Sequence, residues 1–139
     1  MKHVFEILIN PTNCSYIVDN IIMEETMEPL HESKSLTLRE AGYDEYWLQG
    51  VICDNPGLIG LGELQLVARE KIISSGGKLD ILLQNVDEDT MYEVEVQLGE
   101  TDPSHIIRTI EYWDFIRKKY PQQQHFAVLI AESITKRFF

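Results

Sequence analysis

Three acids stand out for where they fall in this chain. Asp80 interrupts an otherwise apolar run, Leu79-Asp80-Ile81-Leu82-Leu83, while Glu93 and Glu95 share one face of the alternating run Met91 to Leu98. Neighbouring antiparallel strands would set such side chains within about 5 Å of one another. Carboxylates that close repel, and a divalent cation is the natural remedy. Converging carboxylates hold Mg²⁺ through hard oxygen ligands. A cation so held activates water and stabilises the charge on a phosphodiester under attack. Metal-dependent phosphodiester hydrolysis is therefore the chemistry these acids suggest. Alternation alone favours a plainer description of Glu93 and Glu95, the solvated face of a half-exposed sheet. Asp80 resists that description, because an acid among buried-strand residues is costly unless paired or on a metal. Its bland alternative is a strand-end acid capped by the Gly76-Gly77 loop.

The elements that would position these acids can be read from turn and capping residues. Val4 to Ile9 and Tyr16 to Met23 are apolar runs joined by Asn10-Pro11-Thr12-Asn13, dense turn chemistry that predicts a β-hairpin. An acidic stretch, Glu24 to Ser35, follows as a loop. Thr37-x-x-Glu40 fits a capping box and predicts a helix from Thr37, with Tyr43, Tyr46, Trp47 and Val51 at helical spacing. Asp54-Asn55-Pro56-Gly57 stops it. Three strands are predicted next, Glu63 to Ala68, Lys78 to Leu83 and Met91 to Leu98. Asp102-Pro103 then opens a helix whose apolar stripe is Ile106, Ile107, Ile110 and Trp113, and whose Arg117-Lys118-Lys119 end suits the helix dipole. Pro121 stops it, His125 to Ala131 is a last strand, and Ser133 to Phe139 begins another helix. A meander of three strands followed by a helical crossover to a fourth implies an α/β fold, a mixed sheet flanked by helices.

Composition narrows the function classes. The chain has 139 residues, 44% hydrophobic and 25% charged, enough for one domain with its own core. No apolar run is long enough to cross a bilayer, and Glu6 falls where a signal peptide needs apolar residues, so a soluble cytoplasmic protein without membrane partners is expected. Cys14 and Cys53 have no zinc-type spacing and read as reduced thiols. The net charge of −11 argues against a broadly basic nucleic-acid surface but leaves a metal enzyme open, since acids around a cation add to the negative count. Gly57-x-x-Gly60-x-Gly62 is no dinucleotide fingerprint, and Gly76-Gly77-Lys78 lacks phosphate-loop spacing. His3, His31, His105 and His125 form no helical zinc pair.

Two segments carry a likeness to a known family. Gly77-Lys78-Leu79-Asp80-Ile81-Leu82 and Tyr92-Glu93-Val94-Glu95-Val96-Gln97-Leu98-Gly99 resemble the second and third strands of the PD-(D/E)XK nuclease superfamily. Asp80 matches its first acid, and Glu95-Val96-Gln97 its (D/E)-x-K triplet. Arg108-x-x-x-Tyr112 resembles the helix after the triplet, and Leu48-Gln49 through Asn55-Pro56-Gly57-Leu58-Ile59-Gly60 is similar to the leading helix and its exit. Thr101 to Trp113 also looks like an uncharacterised bacterial subgroup. The likeness spans roughly residues 38 to 139. Gln97 replaces the usual lysine: it can orient water but brings no positive charge, and Lys78 on the same strand face as Asp80 is a partial substitute. Where relatives carry a helix glutamate this chain has Gly50, with Glu45 or Gln49 as stand-ins, although a surface acid is the plainer description of Glu45. Glu63 is a further acid of low weight. Arg108, Arg117, Lys118 and Lys119 could meet phosphates or simply line a solvated helix.

The resemblance implies a restriction-endonuclease-like core, residues 36–139, with an N-terminal hairpin and acidic loop, residues 1–35, in a single domain. It implies a nuclease cutting DNA with Mg²⁺ or Mn²⁺. Asp80 and Glu95 would be ligands, joined by the Val96 backbone carbonyl and by Glu93 as a second-metal or outer acid, with Gln97 positioning water. The rival expectation is a catalytically inactive domain of this type that serves as an interaction module. Phe138 and Phe139 point to burial in a homodimer or against further chain.

Overall fold

The computed structural model describes residues 36–73 and 76–134, together with two N-terminal strands. Six strands form one sheet: β1 Phe5–Ile9, β2 Tyr16–Val18, β3 Gln65–Ile72, β4 Lys78–Asn85, β5 Thr90–Glu100 and β6 Gln124–Ser133. Their order is β2-β1-β6-β5-β4-β3. The pairs are antiparallel except β5 with β6, which run parallel, Tyr92 beside Phe126 and Val94 beside Val128. The helix α2, Pro103–Lys119, makes the crossover that a parallel pair requires. The sheet is thus mixed and the fold α/β, with the hairpin docked on β6.

Helix α1, Glu45–Asp54, packs on one face of the sheet and α2 on the other. Leu48 and Ile52 of α1 meet Ile81, Leu83, Val94, Val96, Leu98, Val128 and Ile130. Tyr112 and Ile116 of α2 meet Leu79, Leu82 and Met91. Full burial of each such aliphatic side chain is worth roughly 1.5–3 kcal/mol. Asp102 caps α2 by accepting the Ser104 N–H at 2.7 Å, and Pro103 occupies the first turn, as the sequence predicts.

Three expectations are corrected. The Thr37/Glu40 box forms, with Glu40 Oε2 taking the Thr37 N–H at 2.9 Å and Thr37 Oγ1 taking the Glu40 N–H at 3.1 Å, but it closes a turn rather than opening a helix. Gly42 at φ 84 breaks the right-handed path, and α1 starts afresh at Asp44, which caps Trp47 N–H at 2.7 Å. The acidic face of β5 is not solvated: β5 is an inner strand covered on both sides, so Glu93 and Glu95 are fully buried. Ser133 ends β6 rather than starting a helix. The acidic stretch 24–35, His3, Cys14, His31 and residues 135–139 lie outside the described residues. Cys53 is a free thiol.

Candidate active site

Strands β4 and β5 part at Asp80 and Glu95. Their ladder runs from Asn85 beside Thr90 to Ile81 beside Val94 and stops there. At the next position the two carboxylates replace the ladder. The Asp80 N–H donates to Glu95 Oε1 at 3.1 Å, and the Val96 N–H donates to Asp80 Oδ2 at 2.9 Å. On the other side of β4, Glu70 falls between the pairs Arg69–Ile81 and Lys71–Leu79, with φ at 51, a left-handed conformation uncommon outside glycine. The same point marks a change of face. Leu79 and Leu82 share the α2 side, whereas Ile81 and Leu83 share the α1 side, so strict alternation fails at Asp80.

Both helices reach this fork. From α2, Arg108 sets Nε and Nη2 each at 2.8 Å from Glu95 Oε2. One turn earlier, His105 lies close enough to favour the ionised form of Asp80. Its Nδ1 is buried, 3.7 Å from Asp102 Oδ2, without a hydrogen bond among the described residues. One turn later, the Tyr112 hydroxyl accepts the Lys78 N–H at 3.2 Å. A Cβ on Gly77 would stand 2.3 Å from that oxygen, so only glycine admits the ring here. From α1, Glu45 Oε1 accepts the Leu98 N–H at 3.0 Å, and its charge acts on Asp80. Gln49, one turn on, is buried, and its Oε1 has no partner among the described residues.

Burial and crowding set the electrostatics. Burial, then the neighbouring Asp80 charge, push Glu95 up to about 7 against the pull of Arg108. Burial also raises Asp80, opposed by the Val96 amide and Arg108. Burial alone would lower Arg108, but Glu95 outweighs it and holds the guanidinium charged.

The other sequence-predicted residues scatter. Val96 is buried in the α1-side core, with its amide on Asp80. Gln97 turns away to tie the β5–α2 connection, its Nε2 donating to the Glu100 carbonyl at 2.5 Å and its Oε1 accepting the Asp102 N–H at 3.3 Å. Glu93 meets His125 Nδ1 at 2.8 Å and is not brought to the fork. Lys78 is exposed and paired with Glu70 at 2.6 Å. Glu63 is exposed ahead of β3. A Cβ on Gly50, where the resemblance has an acid, would stand 3.6 Å from the Arg69 guanidinium. Sequence reasoning undervalued Glu45, which is half-buried with its carboxylate on β5 rather than a surface acid. The signal available was its i, i+4 spacing to Gln49 on the inner side of the helix.

The donor set suits a hard dication in kind. Asp80, Glu95, Glu45 and the orphaned Gln49 oxygen are all hard oxygen ligands. Among the described residues no three His, Cys, Asp or Glu side chains are already spaced as a metal cage, and Arg108 holds Glu95 instead. No protein-family model, characterised protein or solved structure gives a significant match to this chain. No helix among the described residues is long and apolar enough to cross a membrane.

Proposed function

We propose that the chain is a Mg²⁺- or Mn²⁺-dependent nuclease hydrolysing phosphodiester bonds in DNA, on a restriction-endonuclease-like core. The observation that supports it is the Asp80–Glu95 fork. Two carboxylates are crowded where strands separate, at the cost of a strongly raised Glu95, and a cation would relieve that crowding. Asp80 and Glu95 would hold the cation, with the Val96 carbonyl beside them and Glu45 and Gln49 reaching in from α1. When bound, the cation would activate water and neutralise charge on the phosphate. Arg108, about 40% exposed, is long enough to leave Glu95 for a phosphate oxygen, a charge-assisted contact that orients the substrate. With Gln97 committed to the β5–α2 turn, orientation of the attacking water falls to groups at the fork itself, with His105, whose charge acts on Asp80, as the candidate from α2.

Calorimetric titration with Mg²⁺ and Mn²⁺, paired with nicking assays on plasmid DNA, tests this. Wild type should bind the cation and nick, and Asp80→Ala should do neither. A wild type that binds neither ion and cuts neither DNA nor RNA, indistinguishable from Asp80→Ala, would sink the proposal. That outcome would favour the second reading, an inactive interaction module, which the Arg108–Glu95 pair and the occupied Gln97 amide also support.

A further inference from the structure

The start of α1 carries an exposed aromatic face that core packing does not explain. Tyr43, Tyr46 and Trp47 are 38%, 60% and 39% exposed. Scattered exposed aromatics need no explanation, but these are ordered against one another. Tyr43 and Trp47 stack with ring centroids 4.0 Å apart. The Arg69 guanidinium sits 3.8 Å over the Tyr46 ring and donates through Nη2 to the Tyr46 carbonyl at 2.6 Å. The Asp44 cap fixes the Trp47 backbone. The face therefore arrives already organised, which lowers the entropy lost on binding a flat ligand.

A groove of about 360 Å³ runs beside it, lined by Arg39, Tyr43, Asp44, Glu45, Tyr46 and Leu98. Glu45 and Leu98, which line it, share a hydrogen bond, and the Glu45 charge also acts on Asp80, so the groove and the fork have Glu45 in common. Only Leu98 among its lining residues is aliphatic, which ill suits an apolar peptide anchor. Arg39 and Arg69 make no ion pair among the described residues, and Arg69 Nε is buried without a hydrogen bond. Ring faces flanked by guanidinium groups without a carboxylate partner among the described residues suit nucleobases. A chain of net charge −11 cannot rely on broad phosphate neutralisation, so its affinity must come from stacking, which a duplex denies and a single strand offers.

We propose that Tyr43, Tyr46, Trp47 and Arg69 form a stacking platform for the unpaired bases of single-stranded nucleic acid, leading the strand along the groove to the fork. Cleavage of that strand rests on the nuclease reading; its binding does not. The test is fluorescence anisotropy of labelled oligonucleotides with the whole chain in chelator, followed by cleavage assays with Mn²⁺. A single strand should bind about tenfold or more tighter than its duplex, and Trp47→Ala and Tyr46→Ala should each weaken it about tenfold while the variants stay folded by circular dichroism at the assay temperature. With Mn²⁺, Trp47→Ala should raise KM and spare kcat. Equal binding of duplex and single strand, or Trp47→Ala and Tyr46→Ala binding like wild type, overturns the platform, as does no binding at all, which would assign the face to a protein partner. A strand bound through Trp47 but never cut leaves the platform standing and removes the nuclease. Cutting with an unchanged KM in Trp47→Ala does the reverse.

Discussion

Glu93 and Glu95 stand two residues apart on the same face of the same strand, both fully buried, yet their surroundings differ in kind. Glu93 is sealed. Its partner His125 is itself almost wholly buried, with Nδ1 on Glu93 and Nε2 donating to the Tyr120 carbonyl at 2.9 Å. Burial raises Glu93; burial alone would lower His125, but the Glu93 and Tyr120 hydrogen bonds hold it up. Both directions mean that the pair keeps one proton between its members and stays neutral as a unit. Glu95 instead borders a second acid, and its counter-ion Arg108 is about 40% exposed. The lesson is that burial alone does not mark a chemical site. An acid–base pair shut away from solvent serves the core, whereas an acid crowded by another acid and balanced by a part-exposed cation is a candidate ligand site.

That contrast can be broken by experiment. The largest effect should come from the sealed pair: Glu93→Ala leaves His125 unpaired in the core and should destabilise by about 3–5 kcal/mol in urea unfolding, while sparing any cation binding at the fork. Cation binding lost along with Glu93 would merge the two sites. Glu95→Ala should cost less, about 1–3 kcal/mol, mainly for the Asp80 N–H left without its acceptor, and it should abolish cation binding.

A pH series separates the two further. Glu95 is raised from 4.5 to about 7, so the folded state holds its proton more tightly than the unfolded chain. Its contribution to stability should therefore fall as pH rises between about 4.5 and 7, by up to about 1.4 kcal/mol per pH unit, and the difference between wild type and Glu95→Gln reads it directly. Glu93, raised from 4.5 like Glu95, adds to that same fall, whereas its partner His125 acts in a different window. With His125 raised from 6.5, its stabilisation is complete below 6.5 and declines as pH rises above it, so His125→Gln should flatten only the alkaline limb. The smallest effect belongs to Arg108→Ala, about 1 kcal/mol, because buried Glu95 loses its donors but can take up a proton in their place. The same change should tighten Mn²⁺ binding, since Glu95 loses its competing cation; weaker binding would mean that Arg108 organises the fork rather than blocking it.

Much of this frame was legible from local chemistry. Asp102-Pro103 marked the start of α2, the β5 alternation marked a strand, and an acid inside Leu79–Leu83 marked Asp80. What local patterns could not report was coverage. Alternation in β5 describes a half-exposed strand, and only the placement of β5 between β6 and β4, under α2, buries Glu93 and Glu95. Nor does spacing along β5 reveal that one acid would find His125 from β6 and the other Arg108 from α2, because both partners arrive through tertiary packing. The Thr37/Glu40 box misled for the opposite reason: its hydrogen bonds are satisfied by a single turn, and Gly42 decides that the turn does not continue.

The hydrogen bonds at the fork bear on how such a chain evolves. Asp80 and Glu95 accept the backbone amides that the ladder would otherwise have paired, so the acids close the seam of the sheet as well as lining its opening. Replacing either costs folding stability whatever chemistry the opening performs. Selection for a folded sheet is then enough to retain both acids through a lineage. Drift in activity would be written first in the residues that carry no structural duty at the seam, Arg108 and His105 foremost.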